Sequence, residues 1–160
     1  MRTAADVEAY LLKMNRRFRA VDDQPGTFVV DVDGWGPGPN LPAGRATGGS
    51  AGAPTGGPTQ IAVRVDPPLV VVRVHIGNAA PTSDPASMSA FYRRLLELNA
   101  RELVHASYGV DQGHVVLSSA LELENLDYNE LEATMDEIDL ALSQHLPDLA
   151  KLAGLTQSKN

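Results

Sequence analysis

Histidine is the first residue type to weigh for chemistry, because it serves as acid, base or metal ligand near neutral pH. The four histidines, His75, His105, His114 and His145, fall in different stretches with no HExxH or other ligand spacing. A metal centre is therefore not expected, and His114 beside a turn reads as solvent-facing. Cysteine is absent, which removes thiolate ligands, cysteine nucleophiles and disulfides. Gly34-Trp35-Gly36-Pro37-Gly38-Pro39 has the glycine content of a phosphate loop. It lacks the closing Gly-Lys-Ser/Thr and the following helix that would aim backbone N–H groups at a phosphate. No cofactor is expected, and no paired acid and base suggests an enzyme.

Charge offers binding rather than catalysis. Asp127, Glu130, Glu132, Asp136, Glu137 and Asp139 crowd one short stretch without the alternate-residue pattern and central glycine of a calcium loop. They form either a solvated helix face or an electrostatic docking surface. Residues 111–160 carry a net charge of −8, whereas residues 1–110 are near balance at +1. Lys13, Arg16, Arg17 and Arg19 suit either a helix C-terminus or contact with an acidic partner segment. The overall charge of −7 argues against a nucleic-acid partner held by phosphate contacts.

The elements that would position these groups follow from hydrophobic period. Val7, Tyr10, Leu11, Met14 and Phe18 recur at helical spacing, opened by Thr3-Ala4-Ala5-Asp6 and ending near Arg19 before the turn Gln24-Pro25-Gly26. Thr27–Val32, Ile61–Val65 and Leu69–Ile76 each alternate, which predicts an antiparallel sheet with one face on a core. Asp84-Pro85 opens a second helix that ends near Asn99-Ala100. Ala106–Val110 and Val115–Leu121 read as strands around the hairpin turn Asp111-Gln112-Gly113. Asp127 with Glu130 three residues on, and Leu126 with Leu131 as a staple, open the last helix. Its buried stripe is Leu131, Met135, Ile138, Leu142 and Leu146, and Pro147 interrupts or kinks it. The expected order is αβββαββα, an α+β fold with helices packed on an antiparallel sheet.

Residues 34–60 hold 14 of the 25 Gly and Pro residues and a single charge, Arg45. Nothing there offsets the entropy of ordering a backbone, so a flexible insertion loop is expected. It interrupts one domain spanning 1–154, with 155–160 as a disordered tail. Leu, Ile, Val and Phe supply 25% of the 160 residues, enough for a core at this length. The longest purely apolar run, Leu69–Val72, is far short of the roughly 20 residues that span a bilayer. Met1–Tyr10 lacks the order of a signal peptide, so a cytoplasmic location is expected.

Two apolar surfaces stand out. Val29, Ala62, Leu69 and Val71 occupy the sheet face opposite the main apolar one, beside Asp31, Arg64 and Arg73, and such strips invite a partner. Trp35, at the mouth of the loop, either folds onto the core or offers a contact. Met88, Phe91, Tyr92, Leu95, Leu96 and Leu98 cover more of the second helix than one narrow stripe, which predicts burial on two sides.

The chain resembles the type III secretion chaperone-like superfamily, which includes CesT-type chaperones and YbjN-domain proteins. Leu95–His145, LLELNARELVHASYGVDQGHVVLSSALELENLDYNELEATMDEIDLALSQH, carries the resemblance. A helix ending in Leu-Asn leads to Tyr-Gly-Val, then Val-Val-Leu, then Leu-Glu-Leu-Glu-Asn-Leu before the last helix. The resemblance implies a cytoplasmic, non-enzymatic homodimer that holds an extended segment of a client protein across the first helix and the sheet. On that basis Val7, Leu11, Val29, Leu69 and Val71 are expected to line client contacts, with Trp35 closing over them. Met88, Phe91, Tyr92, Leu95, Leu96 and Leu98 are expected at the dimer interface. The competing reading is a regulatory or immunity-type adaptor that binds a folded partner through the acidic C-terminal helix.

Overall fold

β-branched residues at alternate positions favour strands whose two faces differ, and this pattern dominates the middle of the chain. The structure, a computed structural model, describes residues 2–32 and 60–153. Among them, six strands form one antiparallel sheet: β1 (Phe18–Ala20), β2 (Thr27–Asp31), β3 (Gln60–Asp66), β4 (Leu69–Asn78), β5 (Ser107–Asp111) and β6 (His114–Glu122), in spatial order β1-β2-β3-β4-β6-β5. The three described helices, α1 (Ala4–Lys13), α2 (Pro85–Arg101) and α3 (Tyr128–Leu152), bury their apolar stripes with one face of this sheet. Register aligns that face: Val30 opposes Ile61, Val63 opposes Val72, and Val74 opposes Leu117. All six are fully buried, together with Leu131, Met135, Ile138 and Leu142 of α3. Asp31 pairs with Gln60, so the intervening chain joins neighbouring strands of one sheet. The insertion loop expected at 34–60 lies, apart from Gln60, outside the described residues, as do Trp35 and the 155–160 tail.

The α+β class stands, with one more strand than the sequence pattern predicts. Phe18 does not continue the first helix. α1 stops at Lys13, and Asn15 takes a left-handed conformation with φ 56°, which asparagine tolerates better than most residues. The chain then turns into the three-residue β1, where Phe18 packs edge-on against Phe28 with ring centroids 5.9 Å apart. Pro147 does not end α3, which runs on to Leu152.

Local signals set the other boundaries. Asp84 accepts the Ser87 N–H at 2.9 Å with Pro85 in the first turn of α2, and Asp127 accepts the Glu130 N–H at 2.8 Å to start α3. Gln112 and Gly113 adopt φ of 47° and 79°, the doubly left-handed turn that suits a two-residue hairpin.

The sheet edges are unequal. Along β5 the Asn99 amide of α2 pairs with both main-chain groups of Tyr108, at 2.7 Å and 3.0 Å. One residue outside the strand, Ala106 N–H is taken by Glu137 of α3 at 2.8 Å. Along β1, Arg17 carbonyl and Val21 N–H bond to β2, so the peptide groups of Phe18 and Ala20 face outward.

Candidate functional site

The three described helices all pack on one sheet face, and no described helix covers the other. Val29, Ala62, Arg73, Ser118 and Ser107 follow one another across it from β2 to β5, and Arg64, Val71 and Ala120 form the next row. Leu69 continues this face at the start of β4 and is exposed, whereas Val29 and Val71 are half-buried by neighbours. Charges frame the apolar strip: Arg64 lies 2.8 Å from Asp66, Arg73 lies 2.7 Å from Asp111, and Arg17 lies 3.6 Å from Asp31. Arg19 and His75 are exposed on the same face. Partial desolvation of the ring by its neighbours holds the His75 imidazole below its ordinary value, helped by His114 and Arg73 and opposed by Asp111. The face has the mixed apolar and polar character that suits an extended chain, with three of its arginines already paired to aspartates of the same chain.

Val29, Leu69 and Val71 are thus brought together, but Val7 and Leu11 are not with them. Both are fully buried between α1 and the sheet core, on the opposite side, because the apolar stripe of a short surface helix is what anchors it. They are corrected here to core residues.

The second surface is the outer stripe of α2. Met88, Tyr92 and Leu96 line a shallow trough there with Pro85 and Ala100, flanked by Arg93, Glu97 and Arg101. Leu96 is 68% exposed. The Tyr92 hydroxyl donates to the Ala79 carbonyl at 2.7 Å, which fixes the ring against the surface. Phe91, Leu95 and Leu98, assigned with them from sequence, face the opposite way and are buried in the core. Helix α2 is apolar on two sides, as its composition suggests, but only one side is open to a partner.

Much of the acidic surface proves to be internal wiring. Asp127 caps α3, and Glu132 accepts from Tyr128. Asp136 and Asp139 lie 2.9 Å and 2.6 Å from the buried Arg16 guanidinium. Glu137 accepts three successive backbone N–H groups, from Val104 at 2.7 Å, His105 at 2.7 Å and Ala106 at 2.8 Å. Lys13 Nζ stands 3.9 Å from the Tyr128 ring centroid. The acidic segment that Lys13 and Arg16 meet is therefore α3 of the same chain. No sequence signal joins Arg16 to residues 120 positions away. For His145 a signal existed: it lies three residues after Leu142 and seven after Ile138, on the buried stripe of α3.

Among the described residues no group of three or more His, Cys, Asp or Glu is placed to hold a metal ion, and no helix is long and apolar enough to cross a membrane. A single antiparallel sheet with helices on one face is the architecture of the type III secretion chaperone-like proteins. Residues 52–154 match the CesT_Tir_1 family, and the chain belongs to that family. Among solved structures, YbjN from E. coli, a candidate transcription regulator, aligns over 91% of this chain and 92% of its own at 9% identity and a TM-score of 0.56. That likeness establishes the fold. The heterodimeric ExoU-SpcU complex of the Pseudomonas aeruginosa type III secretion system aligns over 59% of this chain and 77% of that chain, at 17% identity and a TM-score of 0.47. The ExsC-ExsE complex aligns over 93% and 97%, at 11% identity and a TM-score of 0.46. No curated protein sequence matches the chain.

Proposed function

We propose that the protein is a non-enzymatic chaperone or adaptor that acts as a homodimer and holds an extended segment of a client protein against its open sheet face. The observation that carries this reading is the strip Val29, Ala62, Leu69 and Val71, which no described helix covers, in a member of the CesT_Tir_1 family. An extended client can lay alternate side chains on such a strip, and the outward peptide groups of β1 offer it main-chain hydrogen bonds. The dimer would form through α2. A two-fold antiparallel pairing level with Leu95 would bury Met88, Tyr92 and Leu96 and set Arg93 against Glu97 of the partner subunit, and reciprocally. The adaptor reading through α3 is weaker, since five of the six clustered carboxylates already serve contacts within the chain.

Light-scattering mass, combined with a peptide array drawn from neighbouring gene products, tests both parts. The expected result is about twice the 17.0 kDa chain mass and capture of one contiguous segment. Val71→Asp should abolish capture and leave the dimer intact, and Leu96→Asp should yield a folded monomer. A monomer at tens of micromolar, or a dimer that captures only a folded protein, overturns the reading.

A further inference from the structure

A polar cluster lies beneath the C-terminal end of α3 and takes no part in either surface. His145 is 4% exposed, with Nδ1 3.0 Å from the Tyr108 hydroxyl and Nε2 3.2 Å from a Glu102 carboxylate oxygen. A carboxylate only accepts, so Nε2 carries the proton and Nδ1 accepts from Tyr108. The neutral ring is thereby satisfied at both nitrogens. Arg94 completes the cluster, 3.6 Å from Glu102 and 2.8 Å from Asp148. The charged and titratable groups that face His145 are Tyr108 from β5, Arg94 from α2, Glu102 at the C-cap of α2, and Asp148 from α3 itself.

Two residues further on, Pro147 interrupts the hydrogen-bond ladder of α3. The turns beyond it carry the buried Leu149 and Ala150 and are tied to α2 by Asp148 and Arg94. We propose that His145 is the pin of an acid-opened latch: the neutral ring ties α3 to β5 and α2, and its protonation lets the segment from Leu146 to Ala153 detach at Pro147. Protonation adds a hydrogen to Nδ1, so the Tyr108 hydroxyl must turn from donor to acceptor and its own hydrogen loses the partner it had. The new cation is buried, and the nearest carboxylate, Glu102, is shared with Arg94. Burial already holds the ring below its ordinary value, against the upward pull of Glu102. The latch is therefore closed at neutral pH and opens on the acid side. Opening uncovers Leu146 and Leu149, a patch that is absent at neutral pH.

The test follows the His145 imidazole by NMR, together with amide hydrogen exchange of the full chain corrected for intrinsic rates, from about pH 7.5 to about pH 5. Opening of 146–153 should rise by up to about tenfold for each unit by which the buried ring titrates below its ordinary value. Amides of Val63, Val72 and Leu117 should keep their protection. Glu102→Gln should move the transition to lower pH, and Arg94→Gln should move it to higher pH. Both substitutions sit at partly exposed positions, so both variants should fold. Charge alone moves the imidazole titration in these opposite directions; a merely structural contact would do so with exchange of 146–153 unchanged, and that outcome overturns the latch. Titration of His145 at the ordinary value, loss of protection throughout the sheet at once, or parallel shifts in the two variants would each overturn the latch.

Discussion

Glu137→Ala is the sharpest test of how the region between α2 and β5 is held. One carboxylate, 15% exposed, accepts the N–H groups of Val104, His105 and Ala106 at 2.7, 2.7 and 2.8 Å. Hydrogen bonds to a charged acceptor contribute about 1.5–3 kcal/mol each. Val104 and His105 are exposed, so water can replace the carboxylate at their N–H groups and much of their share is recovered. Ala106 is buried, and its donor is left with far less access to water. The expected net loss is about 2–4 kcal/mol, a large fraction of the stability of a domain this size. Glu137→Gln keeps one carbonyl acceptor and should lose about half as much. Urea denaturation with a fixed slope reads both. Glu124→Gln, at an exposed acid of the same charge, is the control and should stay within about 0.5 kcal/mol of the parent. If Glu137→Ala fell in that same range, the three short hydrogen bonds would be irrelevant to stability and the argument would fail.

Arg16→Ala should cost about 2–4 kcal/mol in the same assay, below the range for a fully buried pair because Asp136 keeps water. Arg16→Lys should recover only part, since a point ammonium cannot span Asp136 and Asp139 as the guanidinium does. Asp127→Ala removes the cap of the longest helix and should cost about 0.5–2 kcal/mol, read as a lower urea midpoint. Burial of His145 and partial desolvation of the exposed His75 hold both below 6.5 in the folded chain, so the unfolded chain takes up those protons first. Their contribution is complete above 6.5 and is lost as pH falls through the folded values. Urea midpoints measured from about pH 8 to about pH 5 should decline, and His145→Gln should flatten the decline.

What the sequence made legible was local. Asp127 with Glu130, Asp84 with Pro85, and Gln112-Gly113 announce their caps and turn within four residues, and the structure uses each as read. Phe18 misled because it stands four residues after Met14. That spacing fits a helix, while the left-handed Asn15 between them leaves no periodic trace. The two stripes of α2 were visible, but period cannot tell which of Phe91 or Tyr92 faces the core, since that depends on where the sheet lies. Val7 and Leu11 were drawn into the client site by family resemblance, although an amphipathic helix buries its apolar stripe by default. The Arg16 clamp, the Glu137 cap and the ring of groups around His145 join residues that only the fold brings together, so nothing in the order of residues could reveal them.

The closure of β5 has a consequence for how many strands this sheet can recruit. Sheet-to-sheet polymerisation needs two open edges on every molecule, one to give and one to receive. Asn99 occupies both main-chain groups of Tyr108 and Glu137 the Ala106 N–H, and Val110 alone is too short a stretch to seed a ladder. Among the described residues β1 is the edge left open, which gives the described sheet a valence of one. It can accept a single visiting strand, or meet one other copy edge to edge, and then growth stops. In the proposed role of holding unfolded segments, the protein would thereby be kept from becoming a template for their aggregation.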